Sequence, residues 1–354
     1  MDQERDDQFT TVLAQQAYRL VLGRPVEAAH LHAMIEAKPD GLSLLGHLLR
    51  SEEFLLDRAQ RLGSVIVPSR ADLDLIRSIP RYMGPGEPGF VRDFLGIRTD
   101  VRFVNAIVGL SGAVEGYPIP HGNFHGDLDE WCGLIDAMEH VSGSLVAMEL
   151  GMGWGPWLVA AATIARKRGI EAIRLVGVEA SQDHLDFAHA HCANNGIDRE
   201  MTRLIHAAIT SADGAVEFPV ADDPAEDWGM AAFRQGESTG HDYRGHLVRQ
   251  TEIVTGLSIA TLLAEETRVD LLHVDIQGHE AECIGAAIEP ISEKVASLIV
   301  GTHGRAIEDA LMSCLGDAGW KLVREKPCQF RLDDGRPTLL VDGCQVWKNP
   351  RLRA

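Results

Sequence analysis

The sequence predicts an α/β protein, a doubly wound parallel sheet preceded by a small α-helical module, and three observations carry that prediction. From Leu145 onward, strand-like apolar runs alternate with amphipathic helical stretches across short connections, the pattern of a sheet covered by helices on both faces. The stretch "LVAMELGMGWGPW", residues 145 to 157, carries one such strand into a cluster of three alternating glycines. Upstream of residue 63 the apolar spacing is helical throughout.

Taken in order, the elements divide the chain into three parts. Residues 1–63 form the helical module: Val12, Leu13, Leu20 and Val21 recur at helix spacing, "GRP" breaks the run, and Ser51 before Glu52 and Glu53 reads as a capped helix start. Residues 64–125 are a connecting and lid region, rich in glycine and proline at "MGPGEPGF" and "EGYPIPHGNFHG", with a strand pair expected around "VRFVNAIVG". Residues 126–354 are the sheet domain. It opens on the amphipathic helix "DEWCGLIDAMEHV" and runs through strands at 145–150, 173–178, 203–207, 271–274 and 298–302. The helices between and after them are expected at 157–167, 182–194, 280–287 and 306–318.

Composition narrows the partner. With 354 residues, 33 Lys and Arg against 52 Asp and Glu, and a formal net charge of -19, the chain repels phosphate backbones and anionic membranes. A small molecule is the better partner, and nothing in the composition fixes an oligomeric state. The six cysteines are scattered without a CxxC pair, which points to a reducing compartment rather than to a zinc ribbon or a disulfide framework. The acidic start "MDQERDDQF" lacks the features of a signal peptide, and no apolar run reaches bilayer length, so a cytoplasmic location is expected.

The glycines Gly151, Gly153 and Gly155 follow Glu149 at the end of the first strand of the alternation. Such a loop turns sharply and lets backbone approach a bound molecule, with free amides at the next helix start. A dinucleotide fingerprint would close on glycine or alanine, and that place holds Pro156. The spacing E-x-G-x-G-x-G instead resembles motif I of class I S-adenosylmethionine-dependent methyltransferases, in which the loop takes the methionine moiety and the acid helps to place its ammonium. Glu179, followed by Ala180 and Ser181, ends the next strand about twenty residues on, where a carboxylate accepts ribose hydroxyls. Ala207 and Ala208, ending the third strand, leave room beside an adenine.

The stretch "VDLLHVDIQGHEAECI", residues 269–284, brings an apolar run to Asp275 and then opens a helix with glycine and two glutamates. It resembles the signature of FkbM-type methyltransferases, and the likeness continues through "VEAS", "NNG", "AAI", "LIVGTHG" and "DGCQVWKNP", over roughly residues 126 to 350. The resemblance implies a Rossmann-like class I methyltransferase sheet with a reversed last strand, S-adenosylmethionine as cofactor, and methyl ethers of sugars or natural products as products. "WKLVREK" and "GCQVWKN" suit the two strands of the reversed hairpin. The family pattern commonly has a lysine two residues before the aspartate and a glutamate two after it, and this chain has His273 and Gln277 there. The long, irregular insert from Gly214 to Thr255 is placed to cover the substrate. Upstream, "AYRLVLGRPVEAAHLHAMIEA" and "LLGHLLRSEEFL" resemble a helical domain of unknown function attached to bacterial glycosyltransferases and methyltransferases.

Transfer to an alcohol needs an aligned nucleophile, exclusion of water, and a base for the hydroxyl proton. Asp275, His279 and His303 are the candidate bases, with His303 or Asp275 preferred. A divalent metal shared by Asp275 and His303 is the less favoured way to acidify the alcohol. His184, His189 and His191 lie on a helix and are expected to pack or face water, as Trp154 and Trp157 are expected to pack. Tyr117, His121, Asn123 and His125 are candidate lid residues. Two other function classes share much of this pattern: a nicotinamide-dependent oxidoreductase, and a non-catalytic interaction protein that binds S-adenosylmethionine.

Overall fold

The computed structural model describes residues 2–21, 26–37, 44–45, 48, 69–119, 122–234 and 248–352. The chain separates into two compact units, Met1–Val67 and Pro68–Ala354. In the first, helices α1 (Asp2–Val21) and α2 (Ala28–Ala37) carry a small apolar cluster. Ala14, Ala17, Tyr18 and Val21 supply the buried stripe of α1 at the i, i+3, i+4, i+7 spacing, together with Leu44 and Leu48. Val12, expected on that stripe, is 47% exposed because it falls off this face. The "GRP" break and Ser51 with its glutamates lie outside the described residues.

The second unit begins with α3 (Arg70–Arg77), capped by Ser69, whose hydroxyl accepts from the Asp72 amide while the Asp72 carboxylate accepts from Ser69. Strands β1 (Phe90–Arg92) and β2 (Arg98–Asp100) pair antiparallel. The strand pair expected at 101–109 does not form. Asp100 accepts the Arg102 amide at 2.9 Å, an Asx turn that ends β2, and Asn105–Leu110 is 3-10 helix. A short hairpin of β3 (Gly122–Asn123) and β4 (Gly126–Asp127) leads into α4 (Leu128–Glu139), where Glu130 reaches back to the Asp127 amide at 2.8 Å.

The main sheet is built from β5 (Ser144–Leu150), β6 (Ala172–Glu179), β7 (Thr202–His206), β12 (Leu271–Val274), β13 (Ser297–Thr302), β14 (Lys321–Lys326) and β17 (Gly343–Lys348). Its spatial order is β14-β17-β13-β12-β5-β6-β7. All neighbours pair in parallel except β17, which runs antiparallel to both β13 and β14, so the last strand is reversed. Helices α5 (Pro156–Lys167) and α6 (Gln182–Asn194) pack with α4 on one face. The other face carries α7 (Ile259–Ala264), α8 (Glu280–Ala286), α9 (Ile288–Lys294) and α10 (Arg305–Asp317). Period-2 alternation decides which face each strand residue serves: Leu145 and Ala147 point to one core, Met148 and Leu150 to the other.

Two additions depart from expectation. The insert is only partly irregular: its strands β9 (Gly214–Pro219), β10 (Phe233–Arg234) and β11 (Thr251–Leu257) join β8 (Ala208–Ile209), which precedes it, in a four-stranded sheet of order β10-β9-β11-β8, while residues 220–232 between β9 and β10 are loop. A second hairpin, β15 (Gln329–Asp333) with β16 (Arg336–Val341), fills the link between β14 and β17.

Candidate active site

The carboxyl ends of the parallel strands open into a cavity of about 430 Å³. In the β5–α5 turn, Gly151, Gly153 and Gly155 all have positive φ. A Cβ on Gly151 would collide with the Asp275 carbonyl, and one on Gly153 would lie 3.1 Å from the Trp228 ring, so the turn excludes side chains on steric as well as conformational grounds. The amides of Gly151 and Met152 both bond the Val178 carbonyl, at 2.9 and 3.0 Å, which ties the loop to β6. Pro156, which broke the dinucleotide pattern, occupies the first turn of α5, where its missing amide hydrogen and fixed φ are tolerated, and Gly155 is the N-cap.

Glu149 is almost fully buried and accepts the Leu158 amide at 2.9 Å and the Trp157 amide at 3.4 Å, at the start of α5. Burial pushes its carboxyl up to about 8 against the opposing pull of His273. Glu179 accepts the Gly153 amide at 2.9 Å and the Ser181 amide at 2.8 Å, so the two acids expected to flank the cofactor also lock its loop. Glu149, Gly151, Gly153, Glu179, Ala180, Ala207, Ala208 and Asp275 line one cavity, while Gly155 and Ser181 stand behind it. Ser181 caps α6 through the His184 amide.

The three candidate bases separate. Asp275 lines the cavity, its side chain about a third open, and accepts from the Gln277 amide group at 2.8 Å. His303 is not among the lining residues: it lies behind Asp275, Nε2 3.4 Å from the Asp275 carboxylate and Nδ1 2.9 Å from Glu280. Burial opposes charge on His303, but Asp275 and Glu280 outweigh it and lift the ring to about 9, so at neutral pH it is an imidazolium between two carboxylates. Glu280 also accepts the amides of Ile276 and Gly278. Burial would raise its carboxyl, and the bond and charge of His303 bring it below the usual range. Asp275 is raised by burial in the walled cavity, only partly offset by His303. His279, the N-cap residue of α8, bonds the Ala232 carbonyl at 3.0 Å and so joins the insert to the sheet edge.

Asp275, Glu280 and His303 each bring a ligand atom within 4.8 Å of the others, a grouping able to hold a metal ion. Both ring nitrogens of His303 already face carboxylates. A bound cation would therefore replace the proton charge this imidazolium supplies.

Several lining residues escaped sequence reasoning. Trp228, from the insert, stacks on His184 with centroids 4.0 Å apart and meets Trp154 edge-on at 4.7 Å, forming an aromatic wall over the glycine loop. His184, expected to pack or face water, is part of that wall, and Trp157 lines the floor. His191 is a packing residue: it bonds the Trp154 carbonyl at 3.0 Å and, through Thr99, shares a buried chain with His125. Of the candidate lid residues, His125 lines the cavity; Asn123 instead accepts from His125 and Trp131, Tyr117 donates to the Ile79 carbonyl, and His121 lies outside the described residues.

Charge decides between the two ligand classes that use such a loop. The described lining carries five acidic side chains, from Glu149, Glu179, Asp227, Asp275 and Asp342, with Glu149 held largely in its neutral form by burial, and neither lysine nor arginine. A dinucleotide would bring its pyrophosphate into that field, whereas a sulfonium and an ammonium are attracted by it. The cradle of backbone at Gly151 and Gly153, the two loop-locking acids and the anionic walls fit S-adenosylmethionine.

Comparison with known proteins agrees with this geometry. Residues 150–309 match the methyltransferase FkbM domain. A protein of Jannaschia sp. (strain CCS1) described as "Putative methyltransferase" is 32% identical over 280 residues, covering 78% of this chain and 98% of that one. Among solved structures, similarity extends to the precorrin 8w decarboxylase of Methanobacterium thermoautotrophicum, at 13% identity over 63% of this chain and 90% of that one, with a TM-score of 0.36. It also extends to the C-terminal domain of precorrin-6Y C5,15-methyltransferase of Rhodobacter capsulatus, at 10% identity over 64% and 91%, with a TM-score of 0.35. With a class I sheet, a glycine turn at its crevice and a relative 32% identical over 280 residues, the chain belongs to the FkbM family of S-adenosylmethionine-dependent methyltransferases.

Proposed function

We propose that the enzyme transfers a methyl group to a hydroxyl of a sugar or a glycosylated, natural-product metabolite, with Asp275 as the group that takes the hydroxyl proton. The observation that carries this reading is the division between Asp275 and His303: the carboxylate faces the cavity and the imidazolium sits behind it. An ionised carboxylate accepts a hydrogen bond from an alcohol, and burial makes it a stronger base than a solvated one. His303 then acts as a positioning residue, fixing one Asp275 oxygen from behind while Glu280 fixes the ring.

Glu149, Glu179 and the glycine turn would hold the cofactor, with Ala207 and Ala208 beside its adenine. When bound, the cofactor would supply an electrophilic methyl group, its sulfonium keeping the electron pair of the broken C–S bond and leaving as a neutral thioether. The acceptor oxygen forms the new C–O bond as its proton passes to Asp275. Trp154, Trp228 and Phe124 give apolar faces on which a sugar ring can lie, and they exclude water from the reacting atoms. The 64–125 segment, through Phe124 and His125, and the insert, through Trp228 and Met230, supply the cover. No helix among the described residues is long and apolar enough to cross a membrane.

Incubating the protein with methyl-labelled cofactor and fractionated cell glycans and metabolites, with and without a chelator, tests the reading. Label in a base-stable methyl ether is expected, and undiminished by the chelator. Label confined to esters or amines would contradict it, and loss of transfer on chelation would favour a metal at Asp275, Glu280 and His303.

A further inference from the structure

A buried chain of side chains runs from the cover of the cavity to the glycine loop, and neither cofactor binding nor proton transfer uses it. His125 lines the cavity, while Thr99, at the middle pair of the β1–β2 hairpin, and His191, on α6, are 0% exposed. The Thr99 hydroxyl oxygen lies 3.1 Å from His125 Nε2 and 3.3 Å from His191 Nε2. His191 Nδ1 in turn lies 3.0 Å from the carbonyl of Trp154, the residue between Gly153 and Gly155. At the far end His125 Nδ1 faces Asp93 Oδ2 at 3.7 Å, and both atoms are buried without a hydrogen-bond partner.

The chemistry of the groups fixes where each proton sits. A carbonyl only accepts, so His191 carries its proton on Nδ1, and burial lowers this ring to about 4, which leaves Nε2 bare. Thr99 therefore donates its one hydrogen to His191 and accepts from Nε2 of His125, a ring that burial and the neighbouring His191 hold neutral. His125 Nδ1 is then an acceptor facing Asp93, whose other oxygen accepts the Leu95 and Ile97 amides at 2.9 Å each. A side chain without a hydroxyl at Thr99 strands two buried ring nitrogens at once. The turn that bears Phe124 and His125 has a second anchor: Asn123 accepts the His125 amide and the Trp131 indole, both at 3.0 Å, which holds its backbone on α4. Only the His125 ring reaches α6 and the glycine loop by way of Thr99.

We infer that Thr99 is a positioning residue that couples the two halves of the site: a ligand seated in the glycine loop fixes the Trp154 carbonyl and, through His191, Thr99 and His125, orders the Phe124–His125 wall against which the acceptor would lie. The inference rests on the cofactor reading above. Amide hydrogen exchange with and without S-adenosylhomocysteine tests it. In the wild type the ligand slows exchange at residues 122–127 by about tenfold or more, and in Thr99→Val this slowing falls below about threefold while exchange at 151–158 still slows as in the wild type. Thr99→Ser, which keeps the hydroxyl, keeps the slowing at 122–127, a rescue that a merely space-filling threonine would not show. Thr99→Ala removes the hydroxyl without setting a methyl group against two ring nitrogens, and guards against a Val variant that fails to fold. Slowing at 122–127 undiminished without the hydroxyl, or absent from the wild type while 151–158 is protected, would overturn the inference and leave the cofactor reading intact. Unchanged exchange at both segments of the wild type would overturn both.

Discussion

Asp275 and His303 come from adjacent strand ends, and the sequence alone left the base open between them. The structure orders them in depth: the carboxylate toward the cavity, the imidazolium behind it, Glu280 behind that. Asp275→Asn keeps the shape and removes the proton acceptor, so turnover should fall by about 100-fold or more while S-adenosylhomocysteine affinity changes by less than about threefold; single-turnover kinetics and calorimetry read the two separately. The triad also carries a pH signature. His303 is lifted to about 9 from 6.5, so its contribution to stability is complete below pH 6.5 and is lost as pH rises through 9. Denaturant unfolding measured from pH 6 to 10 should show that decline in the wild type and a flatter profile in His303→Gln. Identical profiles would remove the imidazolium from the account. Glu280 was visible in the sequence only as one of two acids opening a helix; its pairing with His303 is set by tertiary placement of α8 against β13 and has no local signal.

At the scale of elements, the glycine turn shows why some of the site was readable. Its three positive-φ glycines, the proline at the helix start and the acid before them are local backbone requirements, and local requirements leave local marks. Gly151→Ala puts a methyl group against the Asp275 carbonyl at φ +71°. It should lower the melting temperature and weaken cofactor binding by about tenfold or more, and unaltered binding by calorimetry would count against the turn as the cofactor cradle. The strands of the insert were missed because they are half exposed, alternating too weakly to separate from loop: Ile253 on β11 is 56% exposed. The β15–β16 hairpin did carry a mark, Asp334 and Gly335 with positive φ at its tip, the sequence of a tight two-residue turn. Trp228 had none, since its partners His184 and Trp154 lie far away in the chain. Trp228→Ala should weaken cofactor affinity about three- to tenfold with the far-ultraviolet dichroism unchanged, and full affinity would separate the aromatic wall from cofactor binding.

For the whole molecule, the sheet domain was legible because five apolar strands set apart by helical stretches follow from alternation and length, and the reversed last strand from the family resemblance, whereas the charge character of the cavity emerges only when distant acids converge. Glu149, Glu179, Asp227, Asp275 and Asp342 come from five separate stretches of chain. Their convergence carries the central claim, that this crevice takes a cationic sulfonium and not an anionic dinucleotide. Because the chain forms two compact units, a protein lacking residues 1–67 should still unfold cooperatively and bind the cofactor as the full chain does. Loss of the cooperative transition would show that the helices complete the larger core. The most direct measurement is an equilibrium titration of the full chain with S-adenosylmethionine and, in parallel, with NAD at equal ionic strength. The account predicts saturable one-to-one binding of S-adenosylmethionine in the micromolar range or tighter and no saturable binding of NAD. Saturable NAD binding, or none of S-adenosylmethionine, would contradict it.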